Sequence, residues 1–176
     1  MRAGGSRNAA SRNTCTRRFS ARIEANILPM TIRKVTEHKK RFLDLLLLAD
    51  EQESMIERYL ERGVLYVLED GGVKAECVVT DEGGGVLEIQ NLAVLPECRR
   101  RGYGRALIVF LTETYRGRFS VLQAGTGESP LTLPFYQSCG FVFYRRIRGY
   151  FPAHYDHPII ECGVPLTDKI VLRRAL

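Results

Sequence analysis

The run Arg99-Arg100-Arg101-Gly102-Tyr103-Gly104-Arg105-Ala106-Leu107 constrains this chain more than any other stretch. It follows an apolar, strand-like segment, Leu87 to Leu95, and opens a helix-like segment that ends near Tyr115. Two glycines therefore fall where a strand turns into a helix N-terminus. The first N–H groups of a helix have no intrahelical acceptor, and the helix dipole adds positive potential there. A missing Cβ lets a ligand approach the backbone. The chemistry favoured is anion binding, above all phosphate or pyrophosphate.

By itself the motif leaves three readings open. A dinucleotide loop needs G-x-G-x-x-G and a downstream acid after a second strand. Here Leu107 stands where the third glycine would be, and the motif comes mid-chain after four strand-like segments. A purely structural turn is the second reading, and a coenzyme A pyrophosphate site is the third. The triplet Gly83-Gly84-Gly85 is followed by no Gly-Lys-Ser/Thr, so it reads as a hairpin turn.

Hydrophobic periodicity supplies the rest of the framework. Met30 to Val35 reads as a strand. Helical spacing runs from Glu37 to about Leu60, with Phe42, Leu45, Leu46 and Ala49 on one face. A second short helix covers Ser54 to Glu61, ended by Gly63 in the C-terminal glycine role. Val64–Leu68 and Val73–Thr80 form a hairpin in which Val73, Ala75, Cys77 and Val79 share a face. Val86 to Leu95 is the next strand. The helix from Gly104 to Tyr115 turns Leu107, Phe110, Leu111 and Thr114 inward. Arg118 to Ala124 is a strand, and Ser129 caps a helix with Pro130 at its first position. That helix runs to about Cys139, where Gly140 closes it. Phe141–Ile147 and Leu166–Leu172 are the last strands, joined by a long aromatic and charged connection. The predicted fold is α/β (α+β), a mixed, mostly antiparallel sheet flanked by helices.

Charge narrows the function classes. Of the net +6, residues 1–29 contribute +5, from six arginines and the single acid Glu24. The remainder is near neutral and offers no basic face for nucleic acid. No apolar run approaches the roughly 20 residues that span a bilayer, so no membrane role is expected. Five cysteines without a C-x-x-C pair or a secretory leader read as reduced thiols, hence a cytoplasmic protein. For residues 1–29 the expectation is a disordered Arg-rich tail, a start assigned upstream of Met30, or an organelle transit peptide. Residues 30–176 form one domain.

Leu92 to Leu107 resembles the signature of the GNAT superfamily of acetyl-CoA-dependent N-acetyltransferases. Its pattern Gln/Arg-x-x-Gly-x-Gly/Ala is met by Arg99, Gly102 and Gly104. A second feature, Phe-Tyr-x-x-x-Gly-Phe, is met some thirty residues on by Phe135, Tyr136, Gly140 and Phe141. The order of elements read above is also that family's order, and the resemblance covers Met30 to Leu176. Through its Tyr-Phe-Pro segment and its ending, the chain resembles a bacterial subgroup whose acceptor is not generally defined.

The resemblance implies transfer of an acetyl group from acetyl-CoA to a primary amine by direct attack in a ternary complex, with a non-catalytic acyl-CoA-binding regulatory module as the alternative. It implies that Leu92, Ala93 and Val94 face the pantetheine arm. The pyrophosphate would lie on backbone N–H groups between Arg99 and Arg105, a span that includes Tyr103, with charge added by Arg99, Arg100 and Arg101. Ser129 would replace, in part, an asparagine that many members carry. Tyr136, expected near the N-terminal half of its helix, is the implied general acid, and Glu88 the candidate base. Strand alternation puts Glu88 on the face of Gln90 and Leu92. Asn91, Tyr150, Tyr155 and Asp156 are the acceptor-side candidates, with Glu161 and Asp168 extending the acidic set. Their aromatic and acidic character suits a cationic amine, small or on a protein. His154, His157 and Cys162 lack a fourth ligand and the usual spacing, so no metal is expected. A monomer or homodimer is consistent with these features.

Overall fold

A computed structural model describes residues 30–176; the expectations for residues 1–29 lie outside the described residues. A bulge in one strand and a parting of neighbouring strands decide where the cleft of this fold opens. The strands are β1 (Thr31–Val35), β2 (Val64–Glu69), β3 (Val73–Asp81), β4 (Val86–Val94), β5 (Val121–Gly127), β6 (Val142–Ile147) and β9 (Lys169–Ala175). They form one sheet in the order β1-β2-β3-β4-β5-β9-β6. Every neighbouring pair is antiparallel except β4 with β5. The helices are α1 (Leu43–Leu46), α2 (Glu53–Leu60), α3 (Tyr103–Tyr115), α4 (Thr132–Ser138) and α5 (Tyr150–His154). β7 (Ile160–Glu161) and β8 (Val164–Pro165) pair as a small separate ribbon.

The sheet separates two apolar layers. On one face Leu46, Ile56, Tyr59 and Leu60 pack against Val35, Leu65, Val67 and Val78. On the other, Leu107, Ile108, Leu111 and Tyr115 of α3 meet Tyr66, Leu68, Cys77, Val79, Ile89 and Leu122. Each fully buried aliphatic side chain contributes about 1.5–3 kcal/mol, so these stripes hold the helices in place without help from long connections.

Several sequence expectations shift here for local reasons. The first helix is short: a 3-10 turn (Lys39–Phe42) leads into α1, which ends at Leu46. The apolar spacing continues through Ala49, but the chain turns away and Asp50 N–H closes back on the Leu46 carbonyl. Gly63 does not take a left-handed conformation. A Cβ there would lie 2.6 Å from Val78 Cγ1, so close packing requires the glycine. The end of α2 is capped by Lys39, whose Nζ donates to the carbonyls of Leu60, Glu61 and Gly63. Val73 leaves the face of Ala75, Cys77 and Val79, because register shifts between Leu68/Ala75 and Glu69/Val73, leaving Lys74 without a partner on β2. The last strand starts at Lys169, since Leu166 is drawn into the preceding connection by its N–H to Ile159 O. That connection, read from the sequence as long, aromatic and charged, contains α5 and the β7–β8 ribbon.

A candidate active site where two strands part

β4 and β5 run parallel only from Val86/Val121 to Ile89/Ala124. At the next residue β4 bulges: Val78 pairs with Asn91 and Val79 with Ile89, leaving Gln90 without a partner on β3. A bulge bends its strand and increases local twist. Beyond it, Gln90–Val94 and Gly125–Gly127 line opposite walls of a cleft of about 790 Å³. The backbone on these facing edges is unpaired between the two strands, so an extended, polar ligand arm can add itself there.

The same bulge corrects the alternation expected for β4. Cross-strand pairing places Glu88 with Thr80 and Asn91 with Val78, whereas Leu92 pairs with Cys77 on the α3 face. Glu88 and Asn91 thus share the α1–α2 side, and Leu92 does not.

The loop leading into α3 meets the cleft through Arg99 and Arg100. Gly102 has φ 88 at the N-cap of α3, a left-handed conformation that disfavours any residue with a Cβ. Ala106 is the first residue whose N–H returns to the helix, bonding Gly102 O. The N–H groups of Tyr103, Gly104 and Arg105 therefore have no intrahelical acceptor. Gly104 serves a different end from the one read in the sequence. A Cβ there would lie 3.1 Å from the Phe135 ring, so the glycine lets α3 pack on α4. Arg99 and Arg100 line the cleft, Arg100 at φ 65, while Arg101 is exposed and lies off it. Arg105 is engaged elsewhere, donating to Ser138 O and Oγ at 3.1 Å. The Tyr103 hydroxyl donates to Asp70 Oδ2 at 2.6 Å, tying the helix start to the β2–β3 turn.

Two further expectations move. Ser129 is buried, and its Oγ accepts the Leu131 N–H at 3.0 Å. It stabilises the turn before α4, which begins only at Thr132, and it does not line the cleft. Tyr136 sits in the C-terminal half of α4, not the N-terminal half, yet it does line the cleft. Its ring is packed edge-on to Phe135 and Phe141. Burial, followed by the charges of Cys77, Cys139 and Glu76, pushes its hydroxyl well above the usual tyrosine range. That hydroxyl stays protonated at neutral pH and is available to donate.

Glu88 does not occupy a base's position. Its Oε2 accepts Gln123 Nε2 at 2.6 Å and its Oε1 accepts Lys169 Nζ at 3.2 Å, and it is absent from the cleft wall. Both carboxylate oxygens are thus occupied, and the geometry makes Glu88 a brace where β4 and β5 part. Asn91 lines the cleft and donates to Leu46 O at 3.0 Å and Tyr59 Oη at 2.9 Å. Tyr150 and Tyr155 also line it; Tyr150 stacks on His154, and Tyr155 stacks on Phe151. Asp156 points outward and bonds His157, so it falls outside the acceptor side. Asp168 is likewise occupied, by Arg146 and the Gly149 N–H, whereas Glu161 faces the cleft.

The sequence reading missed Asp50, Tyr59 and Lys169, which also line the cleft. Nothing local marks Asp50: its partners lie 9 and 105 residues away. It missed Glu76 as well, fully buried beside the cleft strand, with Oε1 accepting the Ala93 N–H at 3.1 Å and Oε2 unpartnered. Burial pushes the Glu76 carboxyl up to about 8. Among the described residues there is no cluster of three or more metal-ligating side chains, and no helix is long and apolar enough to cross a membrane. Cys77, Cys98 and Cys139 are buried free thiols, and Cys162 is an exposed one.

Comparison with known proteins agrees with this geometry. An acetyltransferase (GNAT) domain family model matches residues 61–143, from the end of α2 into β6. An uncharacterized N-acetyltransferase, YvbK of Bacillus subtilis (strain 168), is 31% identical over 150 residues, covering 84% of this chain and 97% of that protein. Among solved structures, an IAA acetyltransferase from Bacillus cereus ATCC 14579 is 36% identical with a TM-score of 0.78, covering 84% of this chain and all of that one. A GNAT family acetyltransferase from Elizabethkingia anophelis with acetyl-CoA bound is 31% identical with a TM-score of 0.79, covering 84% and 98%. A mixed sheet whose single parallel pair parts beside a glycine-started helix, together with relatives that match it over nearly their whole length, shows that the chain belongs to the GNAT family of acetyltransferases.

Proposed function

We propose that this enzyme moves the acetyl group of acetyl-CoA to a primary amine by direct attack within a ternary complex. The observation that carries the reading is the parting of β4 from β5 at the Gln90 bulge, with Arg99 and Arg100 of the loop leading into α3 and Tyr136 all on the wall of the cleft. Acetyl-CoA supplies an activated thioester. The cofactor's phosphates suit the free N–H groups from Tyr103 to Arg105 and the guanidinium groups of Arg99 and Arg100. The exposed edge of Leu92, Ala93 and Val94 suits the amide-bearing arm. Ala93 N–H is already committed to Glu76, so the arm would bond the remaining groups of that edge.

Amine acetylation needs a neutral amine, an oriented thioester and a proton for the leaving thiolate. Tyr136 Oη is the proton donor in this account. A single cleft reaching both the glycine loop and the α5 aromatics suits two substrates held together, which makes a covalent acetyl-enzyme unnecessary. The remaining site assignments are Asn91, Tyr150 and Tyr155 on the acceptor side. The acceptor is a primary amine, on a small molecule or a protein, in the cytoplasm.

Initial rates of thiol release, with acetyl-CoA and a primary amine both varied, test the reading. Intersecting double-reciprocal lines are expected. Parallel lines would indicate a ping-pong route through an acetyl-enzyme. Tight acetyl-CoA binding with no thiol release across a broad amine panel would favour a non-catalytic acyl-CoA-binding module.

A further inference from the structure

We propose that Asp50 receives the acceptor's ammonium group and takes a proton from it, so that the favoured acceptors are cationic primary amines on an aromatic or apolar body. The proposal rests on the transfer reading above.

Asp50 is 8% exposed and lines the cleft. Its Oδ2 accepts the Tyr59 hydroxyl and its Oδ1 the Tyr155 hydroxyl, each at 3.1 Å. Both donors are neutral. Elsewhere in this molecule the comparably buried Glu88 has a cation, Lys169 at 3.2 Å. Among the described residues Asp50 has none within ion-pair distance, and Lys169 acts on it only from farther off. A carboxylate withdrawn from water without a counter-ion is costly, and two hydroxyl hydrogen bonds offset only part of that cost. The other buried carboxyl lacking a cation, Glu76, does not reach the cleft wall. Asp50 is thus the buried acid an entering cation can meet.

The surroundings fit the same ligand. The Tyr150, Phe151 and Tyr155 rings line the cleft around it. Aromatic faces attract cations and cover apolar bodies. The groups that act on Asp50 are Tyr59 from α2, Tyr155 from the segment after α5, the Gln52 backbone and, from farther off, Lys169 from β9; Glu51, Arg58, Arg62, Tyr150, His154 and Glu161 share the cleft wall. Lys169 is held by Glu88 and lies 5.0 Å from the Tyr150 ring centroid. Asn91 fixes Tyr59 from below, at 2.9 Å.

In the step, an N–H bond of the ammonium breaks and an O–H bond forms on Asp50. The electron pair left on nitrogen attacks the thioester carbonyl, so the C–N bond forms and the C–S bond breaks; the leaving thiolate takes the Tyr136 proton, the proton shed by the acylated nitrogen restores Tyr136, and no oxidant or reductant is involved. Burial raises the Asp50 carboxyl above the usual aspartate range, the direction that makes it a better proton acceptor.

The test uses the full chain, benzylamine as cationic probe and benzyl alcohol as its neutral isostere, with binding followed by calorimetry at pH 8. Asp50→Asn should weaken benzylamine by at least about tenfold and leave benzyl alcohol unchanged. With acetyl-CoA added, kcat/KM for benzylamine should fall by about a hundredfold while KM for acetyl-CoA holds. Equal binding of benzylamine by both proteins would overturn the proposal, as would wild type that binds it no better than the alcohol or not at all. Tyr155→Phe keeps the carboxylate if Asp50→Asn fails to fold. Removing a donor to the charged form raises the carboxyl's pKa, so benzylamine binding should begin at higher pH than in wild type; an unmoved onset counts against Asp50. Charge-selective binding with no thiol release from any amine would leave the Asp50 site standing and sink the transfer reading instead.

Discussion

The two ends of the cleft are built in opposite ways. The proposed donor end is made of backbone: an unpaired strand edge, a bulge, and helix N–H groups freed by a left-handed glycine. The proposed acceptor end is made of side chains, Asp50, Tyr59, Asn91 and Tyr155, gathered from segments up to 105 residues apart. Backbone recognition needs a short run of sequence with a fixed geometry. Side-chain recognition needs only that the fold bring distant residues together, so it can change while the fold stays. On the proposed reading one end serves a constant ligand, and the other is free to specialise.

The largest expected effect concerns what holds the donor strand. Ala93 N–H rests on Glu76, whose carboxyl burial holds at about 8, above its unfolded range. The folded state then binds the proton more tightly than the unfolded chain. The contribution is complete below the unfolded pKa and is lost as pH rises through about 8. Glu76→Gln, which keeps an acceptor for Ala93 N–H, should remove that loss and gain several kcal/mol over wild type at pH 9, measured by denaturant unfolding. Similar pH profiles for both proteins would show that the buried carboxyl does not hold a proton.

Next in size is chemistry at the junction of the two ends. Tyr136→Phe should lower kcat by about a hundredfold and change acetyl-CoA affinity little. Unchanged turnover with chemistry rate-limiting removes Tyr136 from the mechanism. A smaller effect should separate the ends outright. Gly102→Val forces a β-branched residue to φ 88 and should weaken acetyl-CoA about tenfold, with about 1–3 kcal/mol lost in stability. Benzylamine binding should not follow; parallel losses would show that the two ends are not independent. The smallest is Tyr59→Phe, which removes the hydroxyl between Asn91 and Asp50 at a cost of about 1 kcal/mol. It should raise KM for the amine and leave KM for acetyl-CoA alone.

The same contrast explains what could be read before the fold was known. The strand–glycine–helix run and the Phe135-Tyr136 motif are local, and the structure finds strand, loop and helices there, although α4 starts two residues after Pro130. Two-residue alternation failed wherever a bulge intervened. Lys74 moved Val73 to the other face, and Gln90 set Asn91 rather than Leu92 beside Glu88. A bulge leaves no composition signal, because the residue it frees is ordinary. Glu88 looked available for proton transfer because Lys169, 81 positions later, is invisible from its own strand. Asp50 went unnoticed for the matching reason: the tyrosines that bury it come from α2 and from beyond α5.

The central claim is that acetyl-CoA is recognised by backbone where β4 and β5 part. Amide NMR of the full chain during an acetyl-CoA titration tests it most directly. The account predicts saturable shifts concentrated at Leu92–Val94, Arg100–Arg105 and Gly125–Gly127, with Asp50 and Tyr155 moving little until an amine is added. Shifts confined to other regions, or none at saturating ligand, would contradict it.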